Sequence, residues 1–147
     1  STTIELNARD NVGWTAFMMS CHKRHNDVVQ LLLHHSRSPT IDLNARDNVG
    51  QTAFMTSCTF GQKDVVKLLL DHSNRIEVNA RTTYGMTAFL LACFYGHKDV
   101  VKLILDHSSP NFDLNARDDD GCNASMIAYK NGDNDVFKLL QDHSNKQ

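Results

Sequence analysis

One short phrase recurs four times in this 147-residue chain: Leu6-Asn7-Ala8-Arg9-Asp10 before Gly13, Leu43-Asn44-Ala45-Arg46-Asp47 before Gly50, Val78-Asn79-Ala80-Arg81 before Gly85, and Leu114-Asn115-Ala116-Arg117-Asp118 before Gly121. The glycines lie 37, 35 and 36 residues apart, and the apolar pairs Val28-Val29, Val65-Val66, Val100-Val101 and Val136-Phe137 keep that spacing. A period of this size makes each copy one supersecondary unit, stabilised by stacking on its neighbours. From the Asn to the Gly is always 6 residues and from that Gly to the apolar pair always 15, whereas Leu33, Leu70 and Leu105 precede the next Asn by 11, 9 and 10. All length variation falls in one connection. Segments 36–41, 73–76 and 108–112 therefore read as surface loops, where added residues cost little closure entropy.

Within a copy, Thr15, Thr52 and Thr87 stand just before the apolar stretches Ala16-Phe17-Met18, Ala53-Phe54-Met55 and Ala88-Phe89-Leu90. A hydroxyl there accepts from the free N–H groups of a first helical turn, and Asn123 serves the same purpose in the fourth copy. The resulting helix is only about seven or eight residues long, too short to stand alone. Gly61, Gly96 and Gly132 then offer a left-handed residue that ends it, with Arg24 at that place in the first copy. A second helix opens with Asp27, Asp64, Asp99 and Asp135 in its first turn, where the helix dipole favours negative charge. Asp64 with Lys67, Asp99 with Lys102 and Asp135 with Lys138 have the spacing of helical ion pairs. Each copy thus predicts turn, helix, turn, helix.

Composition limits the function classes. A net charge of -2 with 8 histidines supplies no basic field for a nucleic-acid backbone. No apolar run approaches the roughly 20 residues that span a bilayer, and no basic-then-apolar leader precedes the first copy, so the expected place is the cytoplasm or nucleus. Cys21, Cys58 and Cys93 occupy one repeat position; equivalent residues on stacked helices are about 10 Å apart, beyond disulfide reach, and are expected as buried free thiols. Cys122 stands elsewhere in the repeat and is expected to be exposed. Asn123-Ala124-Ser125 is a glycosylation sequon, which in a chain of this kind reads as a helix cap.

Taken together, Asp47, Gly50, Thr52, Gly61, Val65, Val66, Leu68, Leu69, Leu70, Val78, Asn79 and Ala80 resemble the ankyrin repeat, and the resemblance extends over nearly the whole chain. It implies an all-α ankyrin-repeat solenoid of four helix-turn-helix units with short β-turn or hairpin tips, one domain over 1–147, with repeats near 6–42, 43–77, 78–113 and 114–147. The chain departs from the family in having Ala-Phe-Met or Ala-Phe-Leu after the Thr, where Pro-Leu-His is usual, so the Thr lacks its usual imidazole partner. The fourth copy turns polar at Gln141 and Ser125 and reads as a C-terminal cap; the first stays apolar at Phe17, Met18 and Met19, leaving an outer face for an upstream segment or an end-to-end contact.

The resemblance also implies where a partner is held: on the concave surface made by the turn tips and the solvent-facing end of each first helix. Carried over residue by residue, this gives Val12, Trp14, Val49, Gln51, Phe60, Tyr84, Met86, Phe94, Tyr95, Asp119, Asp120 and Lys130. The only Trp and two of the three Tyr fall in this set, and such residues are common interface anchors. The competing reading partly packs Phe60, Phe94 and Tyr95 between neighbouring helices and leaves the rest as ordinary exposed apolar residues. The expected function is a non-catalytic module, mostly monomeric, that binds a protein or peptide. The alternatives are a structural segment of a longer array, to which the initial Ser1 adds some weight, and a repeat domain that senses a small molecule or oligonucleotide. No cofactor or metal is expected. Cys21 with His25 and Cys93 with His97 have i,i+4 spacing, but the repeat pattern already accounts for them. His35, His72, His107 and His143 sit where a cationic imidazole suits a helix C-terminus. The resemblance singles out Asn79, after Glu77-Val78, as a site of asparaginyl hydroxylation; its simpler role is to stabilise the turn.

Overall fold

In the computed structural model, residues 4–35, 41–107 and 111–146 are described. They form eight helices and no strand: α1 (Ala16–His22), α2 (Asn26–His35), α3 (Ala53–Thr59), α4 (Lys63–Leu70), α5 (Ala88–Phe94), α6 (Lys98–Asp106), α7 (Ala124–Lys130) and α8 (Asn134–Asn145). Each odd-numbered helix packs on the even-numbered one that follows. The odd helices stack as an inner row, and α4, α6 and α8 stack as an outer row. Of the expected loops, 36–41 and 108–112 lie largely outside the described residues. Segment 73–76 is a turn in which Arg75 N–H donates to the His72 carbonyl at 2.9 Å.

The predicted helix starts are present. The Oγ1 atoms of Thr15, Thr52 and Thr87 accept from Met18, Met55 and Leu90 N–H at 3.3, 3.2 and 3.2 Å, and Asn123 Oδ1 accepts from Met126 N–H at 3.0 Å. Each such cap contributes about 1 kcal/mol. The hydroxyl thus caps its own helix without an imidazole. Between these short helices Phe17, Phe54, Phe89, Met55, Leu69, Leu90 and Ile104 are buried, each stabilising the stack by about 1.5–3 kcal/mol. Where the other copies have Gly61 (φ 66°), Gly96 and Gly132, the first copy holds Arg24 at φ 59°, the one non-glycine in the left-handed region among the described residues. Arg24 is tied across the repeat boundary: its guanidinium meets Asp64 at 3.1 Å, and Asp64 also accepts from Asn26 Nδ2 at 3.0 Å.

Several expectations are corrected. The Asp-to-Lys i,i+3 pairs do not form. Lys102 instead reaches Asp106 at 3.1 Å, one turn onward, and Lys98 approaches Asp135 of the next repeat at 3.9 Å. Asp64 and Asp135 instead meet a cation of the preceding repeat, Arg24 and Lys98. Cys122 is buried rather than exposed, because it occupies the position of Trp14, Gln51 and Met86 under the tip and Lys130 covers it, donating to its Sγ at 3.1 Å. Helix α8 continues past His143 and Ser144 to Asn145, with His143 in its last turn. His72 Nδ1 lies 3.1 Å from the Leu68 carbonyl at the end of α4; the His35 side chain lies outside the described residues. Ser125 and Gln141 are exposed as a cap requires, yet exposed Met126 and Tyr129, with half-buried Phe137, leave apolar surface on the fourth copy.

Three hydrogen-bonded ladders lock one repeat to the next. In the first, Arg46 Nη1 donates to the carbonyl of its own tip Gly50 at 2.9 Å and to that of Arg81 in the next repeat at 2.7 Å. Arg9 and Arg81 do the same toward Gly13 and Arg46, and toward Gly85 and Arg117. In the second, Oδ1 of Asn7, Asn44 and Asn79 accepts from the N–H of Asp42, Glu77 and Asp113 at 2.8, 2.8 and 2.9 Å. Asn79 also donates through Nδ2 to the Asn111 carbonyl, so its amide is engaged at both ends. In the third, the carbonyl of the last residue of α1, α3 and α5 is taken by a side chain of the next repeat: His22 by Gln62 Nε2 at 2.8 Å, Thr59 by His97 Nε2 at 2.7 Å, Phe94 by Asn131 Nδ2 at 2.8 Å.

Candidate functional site

Each tip is a turn closed on itself. In the second copy Gly50 N–H donates to the Asp47 carbonyl at 3.0 Å, while Asp47 Oδ1 accepts from Val49 and Gln51 N–H at 3.0 and 2.9 Å. The third copy has Thr82 in place of that Asp, and its Oγ1 accepts from Tyr84 and Met86 N–H, both at 3.2 Å. A tip held in this way fixes the side chain just before the Gly and the one just after it. The side chain before it, Val12, Val49 or Tyr84, is thrust into solvent; the one after it, Trp14, Gln51 or Met86, leans toward the inner helix.

Between the tips of repeats two to four and the exposed side of α5 this leaves a cleft of about 370 Å³. Val49, Gln51, Tyr84, Met86, Phe94, Tyr95 and Asp120 line it, all of them expected from the sequence, together with Thr82, Leu91 and Asp118. Phe94 and Tyr95 meet edge to face with centroids 5.0 Å apart, and Tyr95 stacks on His97. Phe60, Phe94 and Tyr95 are 56%, 48% and 52% exposed, so about half of each stays open to solvent. Phe60 belongs to a second ring cluster upstream, where His22 stands between Trp14 (4.9 Å) and Phe60 (5.0 Å), both edge to face.

The remaining expected residues lie outside the cleft. Val12 is exposed at the first tip, and its carbonyl accepts from Asn48 N–H at 3.1 Å. Asp119 is exposed at the fourth tip and donates its N–H to the Tyr84 carbonyl at 3.3 Å. Lys130 lies over Cys122, and that thiol contact, followed by the fields of Asp120 and Asp118, holds its ammonium pKa above the usual value.

Two features went unread in the sequence. Leu91 lines the cleft, while its counterparts are exposed Met19 and buried Thr56 and Ile127. The arginine ladder is formed by residues whose repetition was evident but whose partners lie 35 to 37 positions away.

For chemistry the geometry offers little. Cys21, Cys58 and Cys93 are buried free thiols, and burial pushes Cys21 and Cys93 up to about 12 and Cys58 higher still. His97, four residues after Cys93, turns to the Thr59 carbonyl, while His25 is exposed beyond buried Cys21. Among the described residues no three His, Cys, Asp or Glu are placed to hold a metal ion, and no helix is long and apolar enough to cross a membrane.

The family model for ankyrin repeats (3 copies) matches residues 3–82 and 73–147. The chain belongs to the ankyrin-repeat family. Ankyrin repeats are generally protein–protein interaction modules and typically non-catalytic. No curated protein matches this ankyrin-repeat chain. The cleft lies between the tips and the inner helix α5.

Proposed function

We propose that this ankyrin-repeat chain is a non-catalytic binding module that holds a protein or peptide partner on its concave face, centred on the cleft of repeats two to four. The observation that carries this reading is the cleft itself: Tyr84, Phe94 and Tyr95 stand exposed around an apolar floor of Met86 and Leu91, on a scaffold whose tips and inner helices are each bonded to the next repeat. Rigid aromatic anchors on a preorganised surface lose little entropy when they bind. Asp118 and Asp120 on the rim oppose phosphate, which weighs against an oligonucleotide.

A second reading, a segment of a longer ankyrin array, draws on the apolar surface of the fourth copy, where Met126 and Tyr129 are exposed beside half-buried Phe137. A further repeat packed there would cover it.

Affinity capture from an extract of the source cells separates the two. The proposal expects a partner retained by the chain and lost from a Trp14→Ala, Tyr84→Ala, Tyr95→Ala variant of unchanged thermal stability. A partner held equally by both would place binding elsewhere and favour the array.

A further inference from the structure

The repeats themselves show what the cleft rim lacks. In the second copy the tip carboxylate of Asp47 is used through both oxygens: Oδ1 accepts the two turn N–H groups, and Oδ2 accepts the indole N–H of Trp14, from the preceding tip, at 3.2 Å. The fourth copy repeats the first half of this arrangement, with Asp118 Oδ1 accepting from Asp120 and Cys122 N–H at 3.0 and 2.8 Å. The second half is missing. The residue at the Trp14 position is now Met86, whose thioether has no proton to donate, and among the described residues no donor reaches Asp118 Oδ2. Asp120 lies beside Asp118 on the same cleft, and among the described residues it forms no ion pair.

The surrounding cations do not meet this demand. Arg81 and Arg117 are committed to backbone carbonyls in the ladder, and Lys130, although it feels the fields of Asp120 and Asp118, donates to Cys122 and forms an ion pair with neither carboxylate. An apolar pocket therefore opens directly beside two carboxylates, one of which has an oxygen that an identical carboxylate elsewhere in the chain gives to a donor from outside its own repeat.

Resting on the concave-face reading above, we infer that the partner is a segment with an apolar side chain next to an arginine or lysine. The apolar group enters between Tyr84, Met86, Phe94 and Tyr95, and the cation donates to Asp118 Oδ2 and pairs with Asp120. A guanidinium suits the pair of carboxylates better than an ammonium, because its planar fork presents several donors at once.

The test is selection of a displayed random-peptide library on the whole chain, followed by affinity measurement of the selected peptides against three variants. Asp118→Asn with Asp120→Asn removes both charges while its amide oxygen still accepts the turn N–H groups. Tyr84→Ala with Phe94→Ala removes the anchors. Met86→Lys supplies an internal cation to Asp118. Selected peptides should be enriched in an apolar residue beside Arg or Lys, and should lose about fivefold or more in affinity to the doubly neutralised variant, as expected for a partly exposed charge pair. They should also weaken on Met86→Lys and lose affinity as salt is raised. Selected peptides without basic residues, sensitive to Tyr84→Ala with Phe94→Ala but not to neutralisation, would overturn this inference and leave the concave face as the site. Peptides indifferent to the anchor variant would overturn both, and failure to select any peptide would overturn the inference that a short basic and apolar segment is the occupant.

Discussion

Replacing Arg46 by Ala removes an inner rung of the arginine ladder. The side chain is exposed and donates two hydrogen bonds, at 2.9 Å to Gly50 and 2.7 Å to Arg81, the second crossing a repeat boundary. A bond from a charged donor contributes more than a neutral one, but carbonyls at the surface regain water when the donor leaves, so about 1 kcal/mol for each bond is appropriate. The expected loss is about 2 kcal/mol, or about 4–8 °C in melting temperature for a chain of this length. Arg117→Ala is the internal control: same residue type, same tip, but only its own Gly121 carbonyl and a 3.8 Å approach to Met126 Sδ to lose. It should cost about 1 kcal/mol or less. Differential scanning calorimetry and urea titration of both variants measure the difference. Equal destabilisation would refute the view that the arginines act by coupling repeats, and would assign them to local tip geometry.

Other outcomes follow from single residues. Gly61→Ala should destabilise by about 2 kcal/mol or more, because it forces a side chain into left-handed backbone and sets a Cβ 2.5 Å from the His97 ring that bridges to Thr59, whereas Arg24→Gly should change stability by less than about 1 kcal/mol, relief at φ 59° offsetting the lost contact with Asp64; thermal melts decide both. Cys21, Cys58 and Cys93 should resist alkylation at pH 8 in the folded chain and react on unfolding, since burial raises all three thiol pKa values; rapid native labelling counted by mass spectrometry would contradict their placement. Asp64 is held below its ordinary 3.8, first by the Asn26 amide and then by Arg24, against an opposing effect of desolvation. Because its folded pKa is the lower one, its contribution is present above pH 3.8 and fades as acid protonates it, so Asp64→Asn should flatten the acid limb of the stability curve below about pH 4.

The fold was legible because its determinants are local and repeated. Thr15, Thr52, Thr87 and Asn123 act within three residues of themselves, and Arg24 takes the left-handed turn that its alignment with Gly61 required. The exposure of Tyr84 and Tyr95 was legible through register, since the tip residue and the residue that closes each inner helix are exposed in every copy, whereas Phe94 is exposed where His22 and Thr59 are half-buried. What depended on the neighbouring copy was not. Cys122 is buried because Lys130 folds over it, and Lys98 leaves its own helix for Asp135. The want of a donor at Asp118 becomes visible only when Trp14 is seen to supply one to Asp47. Repetition reveals which positions are equivalent; the differences between equivalent positions are where this chain becomes specific.

Amide hydrogen exchange, with and without a partner recovered by capture, tests the concave-face reading most directly. The account predicts slowed exchange at the tips 49–51, 82–86 and 118–122 and at the end of α5, with the outer row α4, α6 and α8 unchanged. Slowing confined to the outer row, or to α7 and α8 beyond the last ladder rung, would contradict it.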